Sequence, residues 1–235
     1  MAHDLSLAHL LAARRRVRGS EPLLTYYDLG TGERTELSGT TFGNWVDKTA
    51  NLLLDADVEP GDVIGLDLVA DHPGHWVSMV WCAAVWQVGG IVALDDAAAT
   101  IRVLGPGSVD DPPPAQLVLA CSLHPFGLGF APALHAPLVD YGVEVRGFPD
   151  VFVGVPAGDG PAWRDGRDTP LQSKLISGAA GDPDVRLLVR PGPPLPTVQQ
   201  ALLRPLRGAG STVVVVGAAD ADRLAGLAMQ EQTSS

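Results

Sequence analysis

Lysine is almost missing from this sequence. Of 235 residues only Lys48 and Lys174 are lysines; basic residues number 16 against 27 acidic ones, giving a formal net charge of −11. Nucleic-acid binding draws on cationic side chains that displace phosphate counterions, so no nucleic-acid partner is expected. The one basic cluster, Arg14-Arg15-Arg16 with Arg18, ends a predicted helix. Cations suit the negative end of a helix macrodipole, and the cluster reads as a solvated helix end.

Cysteine is scarce too. Cys82 and Cys121 lie far apart in apolar segments with no CxxC pair, which suits two buried, reduced thiols in a cytoplasmic protein. The first residues place their charges after the apolar stretch, the reverse of a signal peptide. The segment from His72 to Leu94 lacks aspartate, glutamate, lysine and arginine and is long enough to span a bilayer. Pro73, Ser78, Gln87 and Gly89-Gly90 divide it, so it reads as a buried helix, a turn and a short buried strand, and no membrane partner is expected. Three catalytic signatures are also missing: the G-x-S-x-G elbow, the G-x-x-x-x-G-K-[ST] loop, and G-x-G-x-x-G after a strand.

What is present is globular. Hydrophobic residues make up 46% and charged ones 18%, with 27 glycines and 20 prolines that imply many short connections. Residues 4–17 predict an amphipathic helix capped by Asp4 or Ser6. Leu23–Leu29 and Glu33–Leu37 predict two strands around Gly30-Thr31-Gly32. Apolar spacing from Phe42 to Leu54 predicts a helix over Ser38–Asp57. A strand over Val63–Ala70 follows, then a helix from Pro73 to about Val88, and strands at Ile91–Leu94 and Gln116–Ala120. Val139–Val145 and Val151–Val153 are further strand candidates. Val185–Arg190 and Thr212–Val216 predict strands, Thr197–Arg207 a helix with Pro205 in its last turn, and Asp220–Met229 a short helix. Alternating strands and helices are the pattern of an α/β fold with a mainly parallel, helix-covered sheet. A single domain over 1–235 is expected, with lobes 1–121 and 122–230 and a frayed tail at 231–235.

Four pieces in fixed order carry a resemblance: Asn51-Leu52-Leu53, Val58-Glu59-Pro60-Gly61-Asp62-Val63, Val85-Trp86-Gln87-Val88-Gly89-Gly90 and Ala93-Leu94-Asp95. The stretch Leu24–Asp96 that holds them resembles the N-terminal part of adenylate-forming (AMP-binding, acyl-CoA synthetase-like) enzymes. Leu202–Val216 resembles the helix and strand that follow their phosphate-binding loop. The chain looks like the short, single-domain relatives of these synthetases, a family of unknown function. The resemblance implies the fold of their N-terminal subdomains with an N-terminal hairpin.

It also implies what catalysis would need. The family's loop, Ser/Thr-Gly-Ser/Thr-Thr-Gly-x-Pro-Lys-Gly, wraps phosphate with amides, hydroxyls and a lysine. The nearest run here is Ile176-Ser177-Gly178-Ala179-Ala180-Gly181-Asp182-Pro183-Asp184. Ser177, Gly178 and Gly181 fall in register, but alanines replace the hydroxyls and Asp184 the lysine. A simpler reading makes Gly181–Val185 a turn into a strand. The aromatic-Gly-x-Thr-Glu motif and a small C-terminal domain with the catalytic lysine are not found, so no catalytic residue is assigned and no cofactor is expected. The expected function is a degenerate, non-catalytic module that binds a small molecule or a protein. The alternative is a divergent ligase using ATP or AMP, with a partner chain supplying the missing lobe. His72 and His75 have H-x-x-H spacing without a third ligand, and Asp95-Asp96 suits a cap, so no metal site is expected. Trp76, Trp81 and Trp86 read as core or interface packing, the latter in a homo-oligomer built around Trp76–Val88.

Overall fold

The structure is a computed structural model that describes residues 6–94, 96–164, 166, 168–179 and 183–234. The Asp4 cap, Asp95, Ala180, Gly181 and Asp182 therefore lie outside the described residues. Ser6 accepts from the His9 amide at 3.4 Å and caps α1 (Leu7–Arg18). The Gly30–Gly32 turn closes on Asp28, whose carbonyl accepts from Gly32 N (2.8 Å) and whose carboxylate accepts from Gly30 N (2.7 Å). It joins β1 (Pro22–Asp28) to β2 (Glu33–Ser38) as an antiparallel hairpin.

Two sheets form rather than one. In the first, β1 pairs in parallel with β10 (Ser211–Val216), and β10 pairs in parallel with β9 (Arg186–Val189), giving the order β2-β1-β10-β9. The register Leu24↔Thr212 to Asp28↔Val216 brings together the two stretches that carry the resemblance. The second sheet is parallel throughout. Its strands are β3 (Val63–Gly65), β4 (Ile91–Ala93), β5 (Ile101–Leu104), β6 (Leu117–Ala120), β7 (Val139–Asp140) and β8 (Trp163–Arg164), ordered β7-β6-β5-β3-β4-β8. Parallel sheets need cover on both faces, and the helices supply it. One of them is α2 (Gly39–Asp55), capped by Ser38, whose Oγ accepts from Thr41 N at 3.1 Å.

The core is built around α4 (Trp76–Gln87), every residue of which is buried. A helix that is apolar all round has no face for water and belongs inside a protein. This resolves the His72–Leu94 segment: it is an interior helix, the Gly89-Gly90 turn, and β4. Among the described residues no helix is long and apolar enough to cross a membrane. The tryptophans Trp76, Trp81 and Trp86 are core residues. A role for α4 at an interface between copies does not hold, because it has no exposed side chain to offer. Each large apolar side chain buried there contributes about 1.5–3 kcal/mol.

Several expectations change. The strand from Val63 stops at Gly65, because the chain turns into α3 (Asp67–Asp71) where Asp67 pairs with Arg102. The helix expected from Pro73 begins at Trp76, since His75 takes the cap position. Strand β5 was hidden in what read as a connection. Val139–Val145 is strand for two residues only; α5 (Tyr141–Glu144) follows, capped by Asp140. Val151–Val153 joins no sheet, and side-chain hydrogen bonds from Asn51 hold it.

Pro205 sits in the last turn as expected, but the turn before it is irregular. Between α7 (Pro194–Val198) and α8 (Arg204–Gly208) the helix widens to a π turn over Gln199–Leu203. Proline lacks an N–H and its ring crowds the carbonyl four residues back, and a wider turn relieves both.

The arginine cluster is largely structural. Arg14 is buried and donates to Pro22 O (2.8 Å), Arg15 reaches Asn44 and Asp47, and Arg18 pairs with Glu21 (2.6 Å) and Asp184. Only Arg16 is exposed to solvent as expected. Residues 231–234 are not frayed: Glu231 is ion-paired to Arg34 and Arg186, and Ser234 N donates to Arg186 O at 2.8 Å.

Candidate functional site

In open parallel sheets ligands collect outside the carboxyl ends of the strands, where the strand order reverses. Here the reversal is at β3, which has β4 on one side and β5 on the other. The crevice is filled from within. Arg102 on β5 forks onto Asp67, Nε to Oδ2 at 2.8 Å and Nη2 to Oδ1 at 2.5 Å, and its Nη1 reaches Asp96 O at 3.4 Å. Arg164, ending β8, donates to Asp96 Oδ2 at 2.9 Å. The amide of Ala98 and then Arg164 hold the Asp96 carboxyl below its ordinary range. Each of these arginines already has a carboxylate, which leaves little positive potential for a phosphate. Sequence reading missed this cluster, although a charged residue inside Ile-Arg-Val-Leu and one inside Gly-Leu-Asp-Leu were its signals.

Past β8 the chain opens a cavity of about 790 Å³. The buried ring of Trp163, with Pro170, Leu175 and Leu195, gives it apolar walls; Asp168, Thr169, Lys174 and Gln199 supply polar groups. Helix α6 (Gln172–Gly178) forms one side, over residues where no helix was expected. Its first turn is already occupied: Asp159 accepts from Ser173 N (2.9 Å) and Ser173 Oγ (2.6 Å).

Ser177 and Gly178, the sequence candidates, are the last residues of α6 and line the same cavity. They stand at the carbonyl end of the helix, where the dipole repels anions. The carbonyls of Ile176 and Ser177 accept from Arg207 Nη1 at 3.4 and 2.7 Å. Gly181 lies outside the described residues. Pro183 and Asp184 form a turn into β9, with Asp184 at φ 55° and its amide donating to Gly208 O (2.9 Å).

The histidines do not converge on an ion. His75 Nδ1 accepts from Val77 N (3.2 Å) as the cap of α4, while half-buried His72 packs against Gly105. Burial pushes His75 down to about 3. Among the described residues no group of three histidine, cysteine, aspartate or glutamate side chains could hold a metal. Burial raises the Cys82 and Cys121 thiols far above their ordinary range, so neither is a ready thiolate.

This arrangement of two sheets with an interior helix matches solved structures along almost its whole length. An acyl-CoA synthetase of Brucella canis superposes with a TM-score of 0.72 at 13% identity, over 96% of this chain and 46% of that one. The anthranilate CoA ligase AuaEII, solved with anthranoyl-AMP, gives 0.67 at 13% identity over 97% and 47%. The N-terminal domain of FACL13 from Mycobacterium tuberculosis gives 0.69 at 13% identity over 97% and 61%. The fold is that of the N-terminal part of acyl-CoA synthetases. At this identity the likeness is one of fold, and the chain spans about half the length of the first two structures. A protein of Mycobacterium tuberculosis H37Rv named "TIGR03089 family protein" is 34% identical over 139 residues, which cover 56% of each chain. No family model matches the sequence.

Proposed function

We propose that this chain is a cytoplasmic, single-domain and non-catalytic relative of the adenylate-forming enzymes, whose retained fold serves as a small-molecule binding module. The observation that carries the reading is the placement of Ser177 and Gly178. The run nearest to a phosphate loop presents a helix carbonyl end engaged by Arg207, where a nucleotide would need amides and cations. Among the described residues Lys174 is the one basic side chain lining the cavity, and it shares it with Asp168. One ammonium beside a carboxylate suits a ligand with little net charge better than a triphosphate. The apolar walls around Trp163 supply contact area.

The test is calorimetric titration with ATP and Mg²⁺, paired with a pyrophosphate-exchange assay over a panel of carboxylic acids. The expected result is no saturable heat and no exchange. Saturable ATP binding accompanied by exchange overturns the proposal and makes the chain a ligase.

A further inference from the structure

The outer face of the first sheet is covered in an unusual way. Tyr27, Val213 and Val215 form a small apolar cluster there, separate from the main core, with Leu29 and Leu188 beside it. Helix α9 (Ala221–Gln230) lies over this cluster and has no buried residue of its own; only Leu224 and Leu227 pack down. Met229 points to solvent at 82% exposure. One cavity adjoins a face of the helix and another its C-terminal end. The first, of about 430 Å³, involves Arg223, Gly226 and Leu227, and the second, of about 380 Å³, involves Gln230, Glu231 and Gln232. Two half-buried leucines beside these cavities are a weak apolar hold.

The hold is polar instead, and it converges on one carboxylate. Glu231, with its side chain 8% exposed, accepts from Tyr27 Oη (2.5 Å), Arg34 Nη2 (3.1 Å) and Arg186 Nη2 (2.5 Å). Arg186 Nε donates to the Glu231 carbonyl at 2.8 Å, and its Nη1 and Nη2 are steadied by Ser211 Oγ and Thr25 Oγ1. Two guanidinium groups and a phenol aimed at one carboxylate make a carboxylate-binding pocket. Past it, Ser234 pairs with Leu187 and caps the outer edge of β9. One latch therefore closes both the sheet face and the sheet edge.

We infer that α9 with residues 231–234 is a releasable strap, latched by Glu231 in the pocket of Tyr27, Arg34 and Arg186. The strap opens as a unit while the two sheets stay folded. Opening bares the apolar patch of Tyr27, Val213 and Val215 together with the hydrogen-bonding edge of β9, and it frees Arg186 for another carboxylate while Arg34 keeps Glu36 at 2.7 Å. This inference does not depend on the proposed small-molecule role, because the strap and the cavity beside α6 share no residue.

Hydrogen exchange read by mass spectrometry on the full chain tests it, with Glu231→Ala and Leu227→Ala variants and the denaturation midpoint of each as the folding control. In the unmodified chain, amides of 222–234 are expected to exchange at least roughly ten-fold faster than those of β1 and β10. Glu231→Ala is expected to speed exchange of 222–234 by a further factor of about ten, and Leu227→Ala by less, with β1 and β10 protection kept. Adding acetate to Glu231→Ala, against chloride at equal ionic strength, is expected to slow that exchange again as acetate refills the pocket. Equal protection of α9 and β10 in the unmodified chain, or unchanged strap exchange in Glu231→Ala, overturns the inference.

Discussion

His75 caps the interior helix α4 by accepting the amide of Val77 at its Nδ1, and its Nε2 is buried without a hydrogen-bond partner among the described residues. The ring packs edge-on against Tyr26 with centroids 4.7 Å apart. A proton added to Nδ1 would take the lone pair that caps the helix, in a buried site where, among the described residues, only the Asp28 charge and the Leu123 backbone favour the cation.

The pH dependence of stability follows. Burial lowers His75 from 6.5 to about 3 in the folded protein, and burial lowers His72 as well. The unfolded chain binds these protons below pH 6.5 and the folded chain does not, so stability falls as pH drops from about 6.5 toward 3. At pH 5 the expected loss from His75 is about 2 kcal/mol relative to pH 7.5. Urea unfolding at both pH values measures it. A His75→Asn variant, which keeps a capping side chain but cannot titrate, should show a flatter slope, and an unchanged slope would sink this account.

Asp47 should be a sensitive core position. Its carboxylate receives Gln87 Nε2 (2.8 Å) from α4 and Arg15 Nη1 (2.5 Å) from α1. Asp47→Ala would strand a buried amide and remove the partner of a cation, at a cost of about 3 kcal/mol. Chemical denaturation reads the change, and a loss below about 1 kcal/mol would mean that water replaces the carboxylate without difficulty.

Asn51→Ala should loosen one loop rather than the whole protein. The Asn51 amide donates to Pro149 O (3.1 Å) and Val151 O (2.9 Å), and its Oδ1 accepts from Val153 N (3.0 Å). Losing all three should cost about 2 kcal/mol and speed proteolytic cleavage within 149–155. Cleavage appearing elsewhere first would contradict this local assignment.

Asp184→Asn should do little. The pair joins a partly exposed Arg18 to an Asp184 side chain that is 71% accessible, and asparagine tolerates the left-handed backbone at this residue. The expected change is below about 1 kcal/mol. A larger shift in thermal midpoint would show that the turn into β9 depends on the charge.

The parts that sequence made visible are those governed by neighbours in the chain. The Gly30–Gly32 hairpin, the α2 helix that starts after Ser38 and the Gly89-Gly90 stop after α4 each rest on contacts within a few residues, and each stands as expected. The missed parts depend on distant partners. Asn51 holds Val151 and Val153 from about a hundred positions away, so an alternating valine run that looked like a strand is side-chain-bound loop. Asp67 turns toward Arg102, which ends β3 early. Strand β8 is two residues long and exists because Val92 pairs with Trp163, a relation no local pattern encodes. The candidate site shared this fate: Ser177 and Gly178 were found by motif register, but their position at a helix end was set by Asp159 and Arg207.

The burial of α4 also constrains the order of assembly. Its hydrogen-bonding partners come from both directions: Asp47 lies 40 residues away from Gln87, while Ala162 and Gln172 lie 76 and 86 residues from Trp86. A nascent chain that has only reached β6 holds a twelve-residue apolar cylinder with one side unclothed. Such an intermediate is adhesive, and the protein escapes it only when the later residues close over the helix. The same core also takes in Val189, Val198, Leu202, Leu203 and Val214, so the helix is fully covered only once β10 has been made.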